Sequence, residues 1–247
     1  MPHPLQPHRR YLAMLATIYA VLWLALAIDP HDRADWALEN LLVVALGVAM
    51  AASARHFVFS RVSYTLIFLF LCLHAVGAHY TYAEVPYQQG WKSLTGGSLN
   101  AALGLSERNH FDRLVHFCYG LLLAYPLREL FLRVADVRGF WGYFLPLDFT
   151  LASSALFELI EAAVATLVAD DLGAAYLGTQ GDVWDAHKDM VLAALGAVAA
   201  MLVTAAINGR LQHDFARDWA QSLRVKDHRP AGEDGIRRMQ AQTGAGP

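Results

Sequence analysis

Cysteine is nearly absent from this chain. Two residues, Cys72 and Cys118, occur in 247. Both lie inside apolar segments, and neither falls in a CxxC or Cys/His zinc spacing. A disulfide framework and a structural zinc ribbon are therefore excluded. Both read as small apolar packing residues. Charge is scarce as well: 17% of residues are charged, against about 25% in ordinary soluble domains. The formal net charge of −3 offers no basic surface to a nucleic acid. No internal repeat and no stretch long enough for a separate soluble domain are present.

What the chain has instead is apolar length. Hydrophobic residues make up 56% of it, and the mean hydropathy is +0.31. A spanning helix needs about 20 mostly apolar residues. Six segments qualify: 11–28, 38–54, 62–82, 113–131, 146–169 and 187–208. The second is the weakest, being short and opening on Glu39 and Asn40. The first resembles a signal peptide, with Arg9-Arg10 ahead of an apolar run. That run is longer than the usual signal core, so an uncleaved anchor is expected. The fold class is thus all-α, a polytopic helix bundle.

Basic residues set the orientation. With the N-terminus cytoplasmic, fourteen of the 19 Lys and Arg fall on the cytoplasmic side. Only Arg33, Lys92, Arg108, Arg113 and Lys188 fall outside. Six spans with both termini cytoplasmic follow. The acids show the opposite bias, including Asp170 and Asp171, and acids do little to set topology. Their bias needs another cause, either function or a solvated acidic surface.

Residues 1–208 read as one membrane domain. Leu211, Phe215, Trp219 and Leu223 then repeat every four residues, the stripe of an amphipathic helix over 209–225 lying on the cytoplasmic face. Residues 226–247 are polar and expected to be disordered. The longest connection, 83–111, carries Gly90, Gly96, Gly97 and Gly104. Tyr82, Tyr87 and Trp91 stand in and beside it as interfacial aromatics. A second outer loop, 170–186, carries Gly173, Gly178 and Gly181.

Charge inside a bilayer is costly and usually functional, so the ionisable residues of the spans mark the candidate site. Asp112 and His116 are four apart on the fourth span and share a helix face. A cap and a hydrogen-bonded histidine are the structural alternative. Glu158 and Glu161 share a face of the fifth span. If that span starts near Asp148, they lie about 15 and 20 Å along it. Two such carboxylates share a proton, pair with a base or bind a cation. Asp182, Asp185 and Asp189 follow one face of a helix opening the sixth span. His79 closes the third span, with Glu84 in reach of the same cluster. His74 reads as a packed, hydrogen-bonded histidine. His187 and Lys188 point elsewhere and look interfacial. Arg128, Glu129 and Arg133 read as anchoring at the cytoplasmic end, and Asp148 as a helix cap.

Three strings carry a resemblance. They are Glu107-Arg108-Asn109-His110-Phe111-Asp112-Arg113 with His116-Phe117; Phe157-Glu158-Leu159-Ile160-Glu161; and Leu177-Gly178-Thr179-Gln180-Gly181-Asp182-Val183-Trp184-Asp185 with Asp189-Met190. Together they resemble the YjdF-like family of bacterial inner-membrane proteins. The resemblance covers most of the membrane domain and implies a six-span, multi-pass inner-membrane protein, without naming an activity. Gln and Trp commonly stand in that family where this chain has His187 and Lys188, which argues against catalysis by His187. The intramembrane Glu pair followed by an acidic helix is also similar, more weakly, to the VanZ-like membrane proteins.

Three functions remain open at this point. The first is a metal-dependent enzyme acting on a lipid or lipid-linked substrate in the outer leaflet. Its divalent ion would be held by Glu158, Glu161, Asp182, Asp185, Asp189 and His116, with Asp112 or His79. Glu158, Glu161, Asp185 and His116 are then the candidate catalytic groups. Arg108, Arg113 and Gln180 are candidate substrate contacts. Oxygen-rich ligands with one or two His suit Mg, Mn, Zn or non-haem Fe. The second is a proton- or cation-coupled transporter, and the third a non-catalytic scaffold. Membrane lipids are the expected partners, nucleic acid is not, and no protein partner is legible.

Overall fold

A computed structural model of the chain describes residues 6–167, 179–211, 215–226 and 231–243. The described residues are helical and contain no strand. They form α1 (Gln6–Leu26), α2 (Arg33–Ser53), α3 (Arg61–His79), α4 (Tyr87–Thr95), α5 (Leu99–Ala102), α6 (Phe111–Val134), α7 (Trp141–Leu167), α8 (Asp185–Leu211), α9 (Phe215–Ser222) and α10 (Ala231–Thr243). Five of these are long and apolar enough to cross a membrane: α1, α2, α3, α7 and α8. The 24-residue α6 is long enough too, but it carries Asp112, Arg113, Arg128, Glu129 and Arg133.

Several helix ends differ from the expectation, each for a local reason. α2 begins at Arg33, because Asp32 accepts hydrogen bonds from the backbone N–H groups of Ala34 (2.8 Å) and Asp35 (2.9 Å). This is an N-cap, and it brings Asp35 and Glu39 inside the helix. α7 begins at Trp141 rather than near Asp148, with Pro146 within its first turns. Pro146 sits in the second turn, where it removes one helical hydrogen bond and leaves the Gly142 carbonyl without its usual donor. Asp148 is therefore an exposed mid-helix residue and not a cap. Measured from Leu167, Glu161 and Glu158 lie about 9 and 14 Å along the helix. Asp170, Asp171, Gly173 and Gly178 lie outside the described residues.

The helix α6 is the hub. It packs against α8, α3 and α7, while α1 and α2 join mainly through α3. Its closest approach is to α8. A Cβ on Gly120 would lie 1.8 Å from the Ala193 carbonyl oxygen, and one on Gly196 would lie 2.0 Å from that of Phe117. Two glycines thus let the backbones touch, the usual device where lipid leaves packing as the main source of cohesion. Gly120 lies one helical turn below His116, and Gly196 two turns below Asp189. The crossing is what allows short side chains on the two helices to meet.

At the opposite end, Glu129 accepts from the Ser60 N–H (2.9 Å) and the Ser63 hydroxyl (2.5 Å), and from Arg133 at 2.7 Å. It stabilises the positive start of α3. Arg128 lies over the Tyr143 ring at 4.6 Å. Phe215 and Trp219 of α9 pack on the cluster of Ala124, Tyr143, Ala197, Ala200 and Met201. The apolar stripe of this short helix is thus seated on the bundle itself. Within 226–247, expected to be disordered, the described residues include α10.

The long connection is built around Asn100, 2% exposed. Its amide donates to the carbonyls of Ser106 (2.9 Å) and Arg108 (2.8 Å). The Tyr87 hydroxyl accepts from the His110 N–H at 2.8 Å and donates to Asn100. Tyr87 is therefore turned inward rather than toward the lipid interface.

Candidate functional site

Asp185 opens α8 and is 3% exposed. Arg108 meets it with two N–H···O contacts, at 2.7 and 3.2 Å, and Arg113 adds a third at 3.1 Å. Asp182 precedes the helix instead of belonging to it. Its carboxylate takes Arg113 and Lys188, each at 2.5 Å, and Arg108 at 3.3 Å. The Lys188 ammonium, the Trp184 backbone N–H and Arg113 hold the Asp182 carboxyl well below the usual carboxylate range. Lys188 thus belongs to this network, while His187 is exposed and meets the Trp184 ring edge-on. Gln180 clasps the backbone of Asn109, accepting at 2.9 Å and donating at 3.0 Å. Arg108, Arg113 and Gln180, the expected substrate contacts, are engaged in tying the start of α8 to the start of α6.

One turn deeper, the chemistry changes. Asp112, His116 and Asp189 each offer a ligand atom, and these atoms all lie within 4.8 Å of one another. Asp112 is not the cap of α6, since the Asn109 side chain accepts from the Phe111 N–H at 3.0 Å. The carboxylate of Asp112 is left to face His116 at 3.6 Å. Glu158 of α7 approaches the same imidazole nitrogen at 3.8 Å. Asp189 is 3% exposed. One oxygen of Asp189 and one of Glu158 are buried without a hydrogen-bond partner. Buried orphan carboxylate oxygens are rare in folded proteins and call for a proton or a cation.

Asp112 and His116 also stand at the head of a cavity of about 500 Å³ between α2, α3, α6 and α7. Asp112, His116 and Glu161 line its polar end. So do Asp35, Glu39, His74 and Tyr82, which sequence reasoning did not assign to the site. Asp35 and Glu39 are 2% and 5% exposed. Their i, i+4 spacing is the signal that could have placed them on one helix face, had the helix been extended back to Arg33. Tyr82 turns back over α3 at a positive φ of 52°. Its hydroxyl meets His74 Nδ1 at 2.5 Å. The packed, hydrogen-bonded reading of His74 fits one of its nitrogens, but Nε2 is buried and has no partner.

Below this end the walls become apolar. Leu46 and Met50 of α2 face Leu123, Leu127 and Leu130 of α6 across the cavity, with Phe59 near its base. From Asp112 to Leu130 the lining follows α6 for about 27 Å at 1.5 Å per residue.

Two expected members stand apart. His79 Nδ1 pairs with the Leu26 carbonyl at 2.7 Å, and its ring packs on Tyr80. Glu84 pairs with His31 at 2.9 Å in an exposed position. Neither joins the cluster. A surface contact between α1 and α3 accounts for the first, and a loop ion pair for the second.

Residues 11–210 match the predicted membrane protein family DUF2238. The chain belongs to this family. It is 38% identical over 192 residues to the inner membrane protein YjdF of Escherichia coli (strain K12), covering 76% of this chain and 86% of the relative. No solved structure matches. The DUF2238 region runs from within α1 to the end of α8, so it contains the acidic cluster, the cavity and the Arg–Asp network entire. The expected relationship and the inner-membrane location are both borne out.

Proposed function

We propose that this DUF2238 protein is a metal-dependent enzyme acting on a lipid or lipid-linked substrate at the outer leaflet of the inner membrane. It crosses the membrane six times with both termini in the cytoplasm. The remaining span is α6, the fourth in chain order, which is packed against α3, α7 and α8 and runs opposite to α3 and α7 and alongside α8. The loop-charge bias places the acidic end of the bundle outside.

One observation carries the reading. Asp112 and His116, which with Asp189 form a donor set, line the head of a cavity whose wall is apolar below Tyr119, Ser153 and Ser154. Two carboxylates and an imidazole suit a hard or borderline divalent ion, and the orphan oxygen of buried Asp189 is an available ligand. When bound, such an ion supplies Lewis-acid activation of water or of an ester or phosphoryl oxygen. Glu158, 3.8 Å from His116, would serve as a proton acceptor beside such an ion, with Glu161 next to it on α7. Asp182 and Asp185 act by position, holding Arg108 and Arg113 so that the loop closes over the site. The apolar walls take the hydrocarbon part of the substrate.

The same walls argue against a coupled transporter. Ionisable lining residues stop at the outer end, and the cytoplasmic half of the cavity offers a proton or cation no polar step. Metal analysis of the purified protein tests the proposal. About one divalent ion per chain is expected, lost from an Asp112→Asn/Asp189→Asn variant and kept by Asp182→Asn. A wild-type protein that holds no divalent ion would overturn it.

A further inference from the structure

We propose that the substrate lipid carries a primary ammonium in its headgroup, received by Asp35 and Glu39 on the wall opposite the metal ligands. The inference rests on the cavity being a lipid-substrate site, as argued above.

The wall contributed by α2 has its own chemistry. Asp35 and Glu39 stand one turn apart, both almost wholly buried and both lining the cavity. One Asp35 oxygen has no hydrogen-bond partner. Facing the same space, His74 is 8% exposed and its Nε2 is likewise unpartnered. Among the described lining residues there is no Lys or Arg. Arg108 and Arg113, at the same end of the bundle, are committed to Asp182 and Asp185. A metal at Asp112, His116 and Asp189 offsets the charge on the α6–α8 side only. The α2 side is left with carboxylates and no counter-ion.

A headgroup that brought only negative charge to this wall would meet repulsion at low dielectric. A primary ammonium brings one positive charge and three N–H donors. Those donors match the carboxylates of Asp35 and Glu39 and the free nitrogen of His74. A quaternary ammonium carries the charge without the donors, and a glycerol head carries neither the charge nor the fit. Below Asp35, the wall continues through Leu42, Val43, Leu46 and Met50. That run is about 22 Å long, most of the roughly 30 Å hydrocarbon core. A lipid seated with its ammonium at Asp35 therefore keeps an acyl chain against α2.

The test is competitive lipid retention by the full-length protein in detergent, read by native mass spectrometry. Phosphatidylethanolamine, phosphatidylcholine and phosphatidylglycerol with identical chains are supplied in equal amounts. Retention of phosphatidylethanolamine about tenfold above the other two is expected, the scale of one charge-assisted hydrogen bond. Asp35→Asn/Glu39→Gln levels the three lipids, and Leu46→Trp lowers all of them together. Equal retention by the wild-type protein overturns the inference, and this comparison needs no variant to fold. A preference that survives in a folded Asp35→Asn/Glu39→Gln protein overturns it as well. Metal content is measured on the same samples. Metal without amine preference removes this inference alone, whereas amine preference without metal removes the catalytic reading alone.

Discussion

Arg108 and Asp185 meet through two nearly parallel contacts, with side chains 10% and 4% exposed. A pair this dry adds little net stability, because desolvation offsets much of the attraction. Breaking it from one side is another matter. Arg108→Met leaves Asp185 with Arg113 alone and should cost about 3–5 kcal/mol, measured by denaturation in micelles. Removing both partners in Arg108→Met/Asp185→Leu should recover most of that loss, and a single variant costing under about 1 kcal/mol would contradict the account. Asp182 behaves differently because it is reached by solvent. Its folded carboxyl is held below the unfolded value of about 3.9 by Lys188, the Trp184 N–H and Arg113. Its contribution is therefore present above pH 4 or so and is lost as the pH falls further. The melting temperature of the wild type should drop below about pH 4, and Asp182→Asn should show a lower but flatter acid limb. The acids of α6, α7 and α8 were legible in the sequence because Glu158 and Glu161 lie in an apolar run and Asp112, Asp185 and Asp189 stand at helical spacing where one begins. Asp35 and Glu39 were not, because hydropathy alone cannot see that Asp32 caps a helix one turn before the apolar residues begin.

The crossing of α6 and α8 rests on backbone contact at Gly120 and Gly196. Any side chain there must push carbonyl groups that cannot rotate away. Gly120→Ala and Gly196→Ala should each destabilise the protein by about 1–3 kcal/mol, the usual cost of overpacking, or more. Each should also part Asp112 and His116 from Asp189, so retained metal should fall along with the melting temperature. Gly47 is the control. It lies on α2 with nothing within 4 Å of an added Cβ, and Gly47→Ala should change stability by no more than about 0.5 kcal/mol. Equal losses at all three positions would count against close approach as the cause, since helix propensity alone favours alanine over glycine. The lengths of the long helices follow from their apolar runs. The crossing does not, because glycine in a membrane helix signals close packing only once its partner is known. The short α4 and α5 escaped for a similar reason: they are ordered by buried Asn100 and Tyr87, which no periodicity announces.

At the scale of the whole molecule, the site and most of the basic residues occupy opposite ends. Asp182, Asp185 and the head of the cavity lie where α6 and α8 begin. Glu129, Arg133 and Arg138 lie where α6 ends and α7 begins. Phe215 and Trp219 also pack at that second end, which keeps the C-terminal segment beside the basic loops. On the proposed topology the positive-inside rule puts that end in the cytoplasm, and the acidic cavity would then open outward, toward lipid of the outer leaflet. Two exposed positions distinguish this orientation from its inverse. Leu94 sits on α4 over the site end, 85% exposed, and Arg138 sits in the α6–α7 connection, its side chain 78% exposed. With Cys72 and Cys118 replaced by alanine, an impermeant maleimide applied to spheroplasts should label Leu94→Cys and spare Arg138→Cys until the membrane is opened. Inside-out vesicles should give the reverse. If Arg138→Cys were labelled from outside, the acidic site would face the cytoplasm, and the substrate would have to come from the inner leaflet.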